Sequence, residues 1–119
     1  MLPPYRSIPA VGQVFNEPCS WFGDFGPWID PDDGGQNASG LPETVPGIAF
    51  YCEATLRRWW RVNLPNGHSA VVQQVDIGPR PETGRGVDIN TALATRAGYT
   101  ALTFPTGRLV TFTYLGDEP

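Results

Sequence analysis

Apolar and polar positions alternate in short runs along most of this chain, and turn formers interrupt every run before it reaches the length of an extended helix. Residues 47–51 form a short apolar run. Across residues 57–63, Arg57, Trp59 and Arg61 oppose Arg58, Trp60 and Val62. Leu64-Pro65-Asn66-Gly67 then reads as a hairpin turn, because Asn and Gly tolerate the positive φ such turns need. Residues 68–75 supply the returning strand, 86–89 a short one, and 108–115 a last one with Leu109, Thr111, Thr113 and Leu115 on one face. Between the last two, residues 90–97 read as a two-turn helix, with Asn90 or Thr91 as N-cap and Gly98 as a left-handed stop. Five or six strands and one short helix make the chain mostly β.

The first 45 residues show no such period. Trp21-Phe22-Gly23-Asp24-Phe25-Gly26-Pro27-Trp28 and Asp30-Pro31-Asp32-Asp33-Gly34-Gly35 are rich in turn formers, and residues 1–35 read as an irregular aromatic and acidic segment packed on a barrel formed by residues 36–119. The acidic cluster does not fit a calcium loop, since Gly34 stands at the fifth position counted from Asp30, where an Asp or Asn ligand belongs. Asn37-Ala38-Ser39 matches a glycosylation sequon, a short pattern that carries little by itself.

Composition narrows the class further. At 119 residues the chain fits one domain with a modest core, and four Trp, four Tyr and six Phe supply much of it. Fourteen Gly and thirteen Pro agree with many short elements. The net charge is −4, with seven acids against Arg6 in residues 1–55 and five acids against seven arginines thereafter. An acidic chain without a basic run is a poor match for nucleic acid or an anionic membrane surface. No stretch approaches the roughly 18 apolar residues of a membrane span. The opening MLPPYRSIPAVGQVF lacks a basic stretch followed by an apolar one, so no secretory signal is expected there. Cys19 and Cys52 are the two cysteines, and a disulfide between them is an open alternative. Nothing in the sequence calls for a metal or another cofactor.

The chemistry concentrates in residues 66–94. Asp76 and Asp88 stand at the ends of two strand-like runs, in Val75-Asp76-Ile77-Gly78-Pro79 and Gly84-Arg85-Gly86-Val87-Asp88-Ile89-Asn90. A carboxylate at a strand end, beside arginines and tight turns, is placed to be held rigidly for acid catalysis on a polar substrate. The order of strand, Asn-Gly hairpin, Asp-x-Gly-Pro, Gly-Arg loop, Val-Asp-Ile-Asn and alanine-containing helix resembles the double-psi β-barrel domain of the rare-lipoprotein-A family of peptidoglycan lytic transglycosylases. It is more distantly similar to expansins. Asn37-Ala38-Ser39-Gly40 resembles a Thr-Ala-Ser-Gly segment of that family, and the likeness covers roughly residues 36–115. The resemblance implies a small six-stranded double-psi barrel with one or two short helices. Departures are the absent histidine ahead of the second strand, Ile77 in place of an arginine, Asn90 in place of a serine, and the tryptophan-rich N-terminus.

By that resemblance the partner is peptidoglycan and Asp88 is the acid/base, with Asp76 either orienting substrate or Asp88, or capping the loop. Arg80 and Arg85 are candidates for contacts to muramyl or peptide carboxylates. Trp59 and Trp60 face opposite sides of one strand, so one belongs to the core and the other is a candidate platform for a sugar ring. His68, in the hairpin, is expected to be exposed. A non-catalytic reading stands beside the enzymatic one: an expansin-like wall-binding module, or a structural part of a cell-wall or phage assembly. Asp76-Ile77-Gly78 also echoes an aspartic-protease motif, but Ile77 lacks the hydroxyl that braces such a dyad.

Overall fold

Trp60 and Val62, and then Val110, Phe112 and Tyr114, are the positions that the alternating runs bury, while Arg61, Asn63 and Leu109 stay exposed. In the computed structural model, which describes residues 3–24 and 37–119, these runs are two of six strands. The strands are β1 (Val14–Phe22), β2 (Gly47–Ala49), β3 (Trp59–Asn63), β4 (Ser69–Asp76), β5 (Val87–Asn90) and β6 (Leu109–Gly116). They close into a barrel in the order β1-β5-β2-β4-β3-β6. Closure leaves no strand edge unpaired, which removes the liability that short, apolar strands otherwise carry.

Two of the pairings are parallel, β1 with β5 and β2 with β4; the other four are antiparallel. Exchanging β1 with β4, β2 with β5 and β3 with β6 maps the strand order onto itself and each parallel pair onto the other. The barrel is therefore two interlocked three-strand halves, the double-psi arrangement, although the sequence shows no internal repeat.

Strand β1 lies inside the stretch that reads as irregular, so the barrel begins at Val14 and a division at residue 35/36 separates β1 from its own fold. The cause is Pro18. A proline cannot donate a ladder hydrogen bond, and its presence argues against a central strand. Here β1 pairs with β6 from Val14 through Pro18 and with β5 from Cys19 onward, so the proline sits where one partner gives way to the next. Its carbonyl still accepts from Gly86 N at 2.9 Å.

The barrel interior is filled. Trp60 is fully buried, with the rings of Phe15, Phe50, Phe112 and Tyr114 centred 4.8–5.8 Å from its own. Its indole N–H is buried without a hydrogen-bond acceptor among the described residues. As a platform for a sugar, Trp60 is excluded by this position. The N-terminal arm covers the same end: Arg6 pairs with Glu17 at 2.8 Å and lays its guanidinium 4.9 Å from the centroid of Phe50. Cys19 and Cys52 are both buried and free, and β5 separates the strands that lead to them.

Helix α1 (Thr91–Arg96) is capped by Asn90, whose Oδ1 accepts from Leu93 N at 2.9 Å, and Gly98 follows with φ +92°. A second amide does comparable work inside the wall. Gln74 is fully buried; its Nε2 lies 2.9–3.1 Å from the carbonyls of Phe50, Cys52 and Asp76, and its Oε1 accepts from the Thr55 hydroxyl. Two hydrogens shared among three carbonyls satisfy a loop that has no strand partner of its own.

Gln74→Leu keeps the volume and strands these groups. At about 1–3 kcal/mol for each buried polar group left unmade, urea denaturation of Gln74→Leu should show a loss of about 3 kcal/mol or more, against about 1 kcal/mol for Thr55→Val. Equal midpoints for the wild type and Gln74→Leu would show that the loop is held some other way.

Candidate functional site

The two aspartates reach the site on the strands that flank β2. Asp76 ends β4 and Asp88 lies in β5, and each is in register with Ala49 of β2. Their backbones are thus two strand spacings apart, roughly 10 Å. The loop between them contains a short 3-10 turn, Pro81–Thr83, that ends on Gly84 with φ +75°. Gly86 brings the chain back against β1: a Cβ there would meet Glu17 Oε1 at 2.2 Å, the same carboxylate that pairs with Arg6. The glycine of Gly84-Arg85-Gly86 nearest Asp88 is thus required by close approach.

Asp76 is a brace. Its Oδ1 accepts from Ile77 N at 2.9 Å and from Ala38 N at 3.2 Å. The turn it holds is gripped from two further directions: Ser39 N donates to Val75 O at 3.0 Å, and Arg57, at φ +68°, donates Nε to Ser39 O at 2.8 Å. The Asn37 side chain donates to Leu41 O at 3.0 Å, so the sequon amide is already part of this turn. The segment that resembles Thr-Ala-Ser-Gly is therefore the near wall of the site.

Asp88 is placed differently. Val87 and Ile89 on either side of it are fully buried in the barrel, so the carboxylate leaves on the outer side, where its register neighbours are Ser20 and Ala49. Its Oδ1 is shielded from solvent. Asp88 and Arg85 both act on the nearby thiol of Cys19: burial and the charge of Asp88 push that thiol up to about 11, and Arg85 opposes them. Arg85 is half-buried, and its Nε has no acceptor among the described residues. Arg80 is exposed at the start of the 3-10 turn, where its carbonyl accepts from the backbone and hydroxyl of Thr83. Asn90 is nearly fully buried and committed: besides capping α1, it accepts from Gly47 N at 3.0 Å and donates to Val45 O at 2.7 Å.

Trp59 stands on the outer wall, in a groove of about 350 Å³ that it shares with His68, Gln73 and Arg96 and that neither aspartate lines. Nothing in the periodicity indicates this meeting, because a tertiary contact makes it. Asn66 of the hairpin donates Nδ2 to Ala97 O at 2.8 Å, and its backbone N–H donates to Tyr99 Oη at 3.0 Å, which ties the hairpin to the end of α1. Among the described residues no cluster of three His, Cys, Asp or Glu side chains is set to hold a metal. The acidic run at residues 30–33 lies outside the described residues.

If Asp76 acts as a brace, Asp76→Ala frees two backbone N–H groups, and the expected cost is about 1–3 kcal/mol, with faster amide exchange at Ala38 and Ile77. Asp76→Asn retains an acceptor and should lose less. Unchanged exchange at Ala38 in Asp76→Ala would contradict the brace.

No protein-family model matches the chain, and no curated protein matches it.

Proposed function

We propose that the barrel acts on bacterial peptidoglycan as a lytic transglycosylase that uses one carboxyl group, Asp88, as acid and then base. The supporting observation is the division of labour between the two aspartates. Hydrolysis of a glycosidic bond generally requires two carboxyl groups with defined separation. Asp76 commits its Oδ1 to two backbone N–H groups, whereas Asp88 leaves β5 on the outer side of the barrel, and transglycosylation needs no more than one carboxyl group for proton transfer.

In that reaction Asp88, protonated, donates its proton to the glycosidic oxygen as the bond from C1 of the muramyl residue breaks. The resulting carboxylate then takes the proton of the muramyl 6-hydroxyl as that oxygen bonds to C1. The product is a 1,6-anhydro sugar, water is not consumed, and Asp88 ends as it began. Arg85, half-buried on the same loop, is positioned to steady a carboxylate of the substrate; Arg80, exposed, is the outer candidate for the same task.

The shielding of the Asp88 Oδ1 favours a second reading, in which the barrel binds wall glycan without cleaving it, as an expansin-like or structural module. The two readings separate in one experiment. Purified sacculi incubated with the wild type should release anhydro-muropeptides detectable by mass spectrometry. Asp88→Asn should release them at least about 100-fold more slowly while pelleting with the sacculi as before. Pelleting without any release by the wild type would assign the binding role instead.

A further inference from the structure

We infer that the groove between β3, β4 and the end of α1 is a binding site for an acidic N-acetylated sugar, separate from the Asp88 site. The groove has a volume of about 350 Å³, within the range of small-ligand sites, and its walls combine apolar surface with a few polar groups. Trp59, half-buried, supplies an aromatic face for the C–H side of a sugar ring. Pro46 and Leu93 continue the apolar floor. Gln73 donates Nε2 to Arg57 O at 3.0 Å, which leaves its Oε1 as an acceptor for the N–H of an acetamido group.

Charge selects the acid. The chain carries a net −4, yet no Asp or Glu lines this groove, and its charged member is Arg96. Among the described residues Arg96 makes no ion pair, so its guanidinium is available for a two-pronged contact with a carboxylate. His68 lines the same groove. The two come from elements 28 residues apart, and the bonds from Asn66 to Ala97 O and Tyr99 Oη hold them together before any ligand arrives. Such a pre-set pair lowers the ordering cost of binding.

The groove does not merge with the Asp88 site. Neither Asp88 nor its register neighbours Ser20 and Ala49 line the groove, and Ala49 is instead packed with Phe22, Val75 and Leu41 in a separate apolar cluster. The choice of N-acetylmuramic acid as ligand rests on the peptidoglycan reading; the preference for a carboxylate-bearing sugar rests on the groove alone.

The test is a pair of titrations of the full chain by amide and indole NMR, one with N-acetylmuramic acid and one with N-acetylglucosamine, which lacks the lactyl carboxylate. The acidic sugar should shift the Trp59 indole and the signals of His68 and Arg96, and bind roughly tenfold or more tightly than the neutral one. Arg96→Gln should erase that difference, with binding of the neutral sugar unchanged. Trp59→Ala should weaken both sugars by roughly tenfold, while Trp59→Tyr, which keeps a ring, retains them. Equal affinity of the wild type for the two sugars, or shifts confined to residues outside the groove, would overturn the assignment. A wild type that binds the acidic sugar here yet releases no anhydro-muropeptides would support the groove and overturn the transglycosylase reading.

Discussion

Three residues of β2 hold the barrel closed, pairing with β4 on one side and β5 on the other. A strand that short has few ladder bonds with which to offset the roughly 1–2 kcal/mol per residue that ordering its backbone costs. Two buried amides make up the difference. Asn90 accepts from Gly47 N and donates to Val45 O at the start of the strand, and Gln74 gathers the carbonyls of Phe50 and Cys52 just beyond its end. Gly47 has no alternative either, since a Cβ there would meet Val75 at 2.6 Å and the carbonyl of Gln73 at 2.7 Å. The positions of Asp76 and Asp88 are both defined through Ala49, so the geometry of the site inherits whatever precision this clamp provides.

The parts of the fold that the sequence makes visible are those governed by local rules. Alternation is plain in β3 and β6, the Asn-Gly hairpin forms, and Asn90 and Gly98 bound the helix as capping chemistry requires. Strand β1 is invisible because Pro18 is acceptable only at a change of pairing partner, which is a fact about β5 and β6 rather than about β1. Alternation likewise puts Trp59 and Trp60 on opposite faces but does not say which face is the interior. That depends on Phe15, Phe50 and Phe112, drawn from three distant segments.

The site shows the same limit more sharply. Val75-Asp76-Ile77 and Val87-Asp88-Ile89 are the same tripeptide, and local sequence offers no reason to treat their aspartates differently. The difference comes from register. Pairing between β2 and β4 slips at Ile48/Ala49, whereas β2 and β5 stay in step, with Ile48 opposite Ile89 and Ala49 opposite Asp88. The slip puts Asp76 at the mouth of a turn, where backbone N–H groups claim it. Regular alternation sends Asp88 out of the barrel wall. Two equivalent motifs become a brace and a candidate acid through one irregularity in a neighbouring strand.

Because Trp60 and the rings around it fill the interior, the barrel cannot admit a ligand along its axis, and any chemistry belongs to the outer wall and its loops. On that wall one segment touches everything that matters. Ala38 is held by Asp76, Leu41 packs on the cluster of Phe22, Ala49 and Val75, and Val45 and Pro46 line the groove that contains Trp59. A displacement of this segment would therefore be felt in the groove and beside Ala49 together. Its polar anchors include Asp76, Arg57 at positive φ, the backbone of Val75 and the side chain of Asn90. Asp76 thus fixes, through Ala38, the loop whose far end lines the groove.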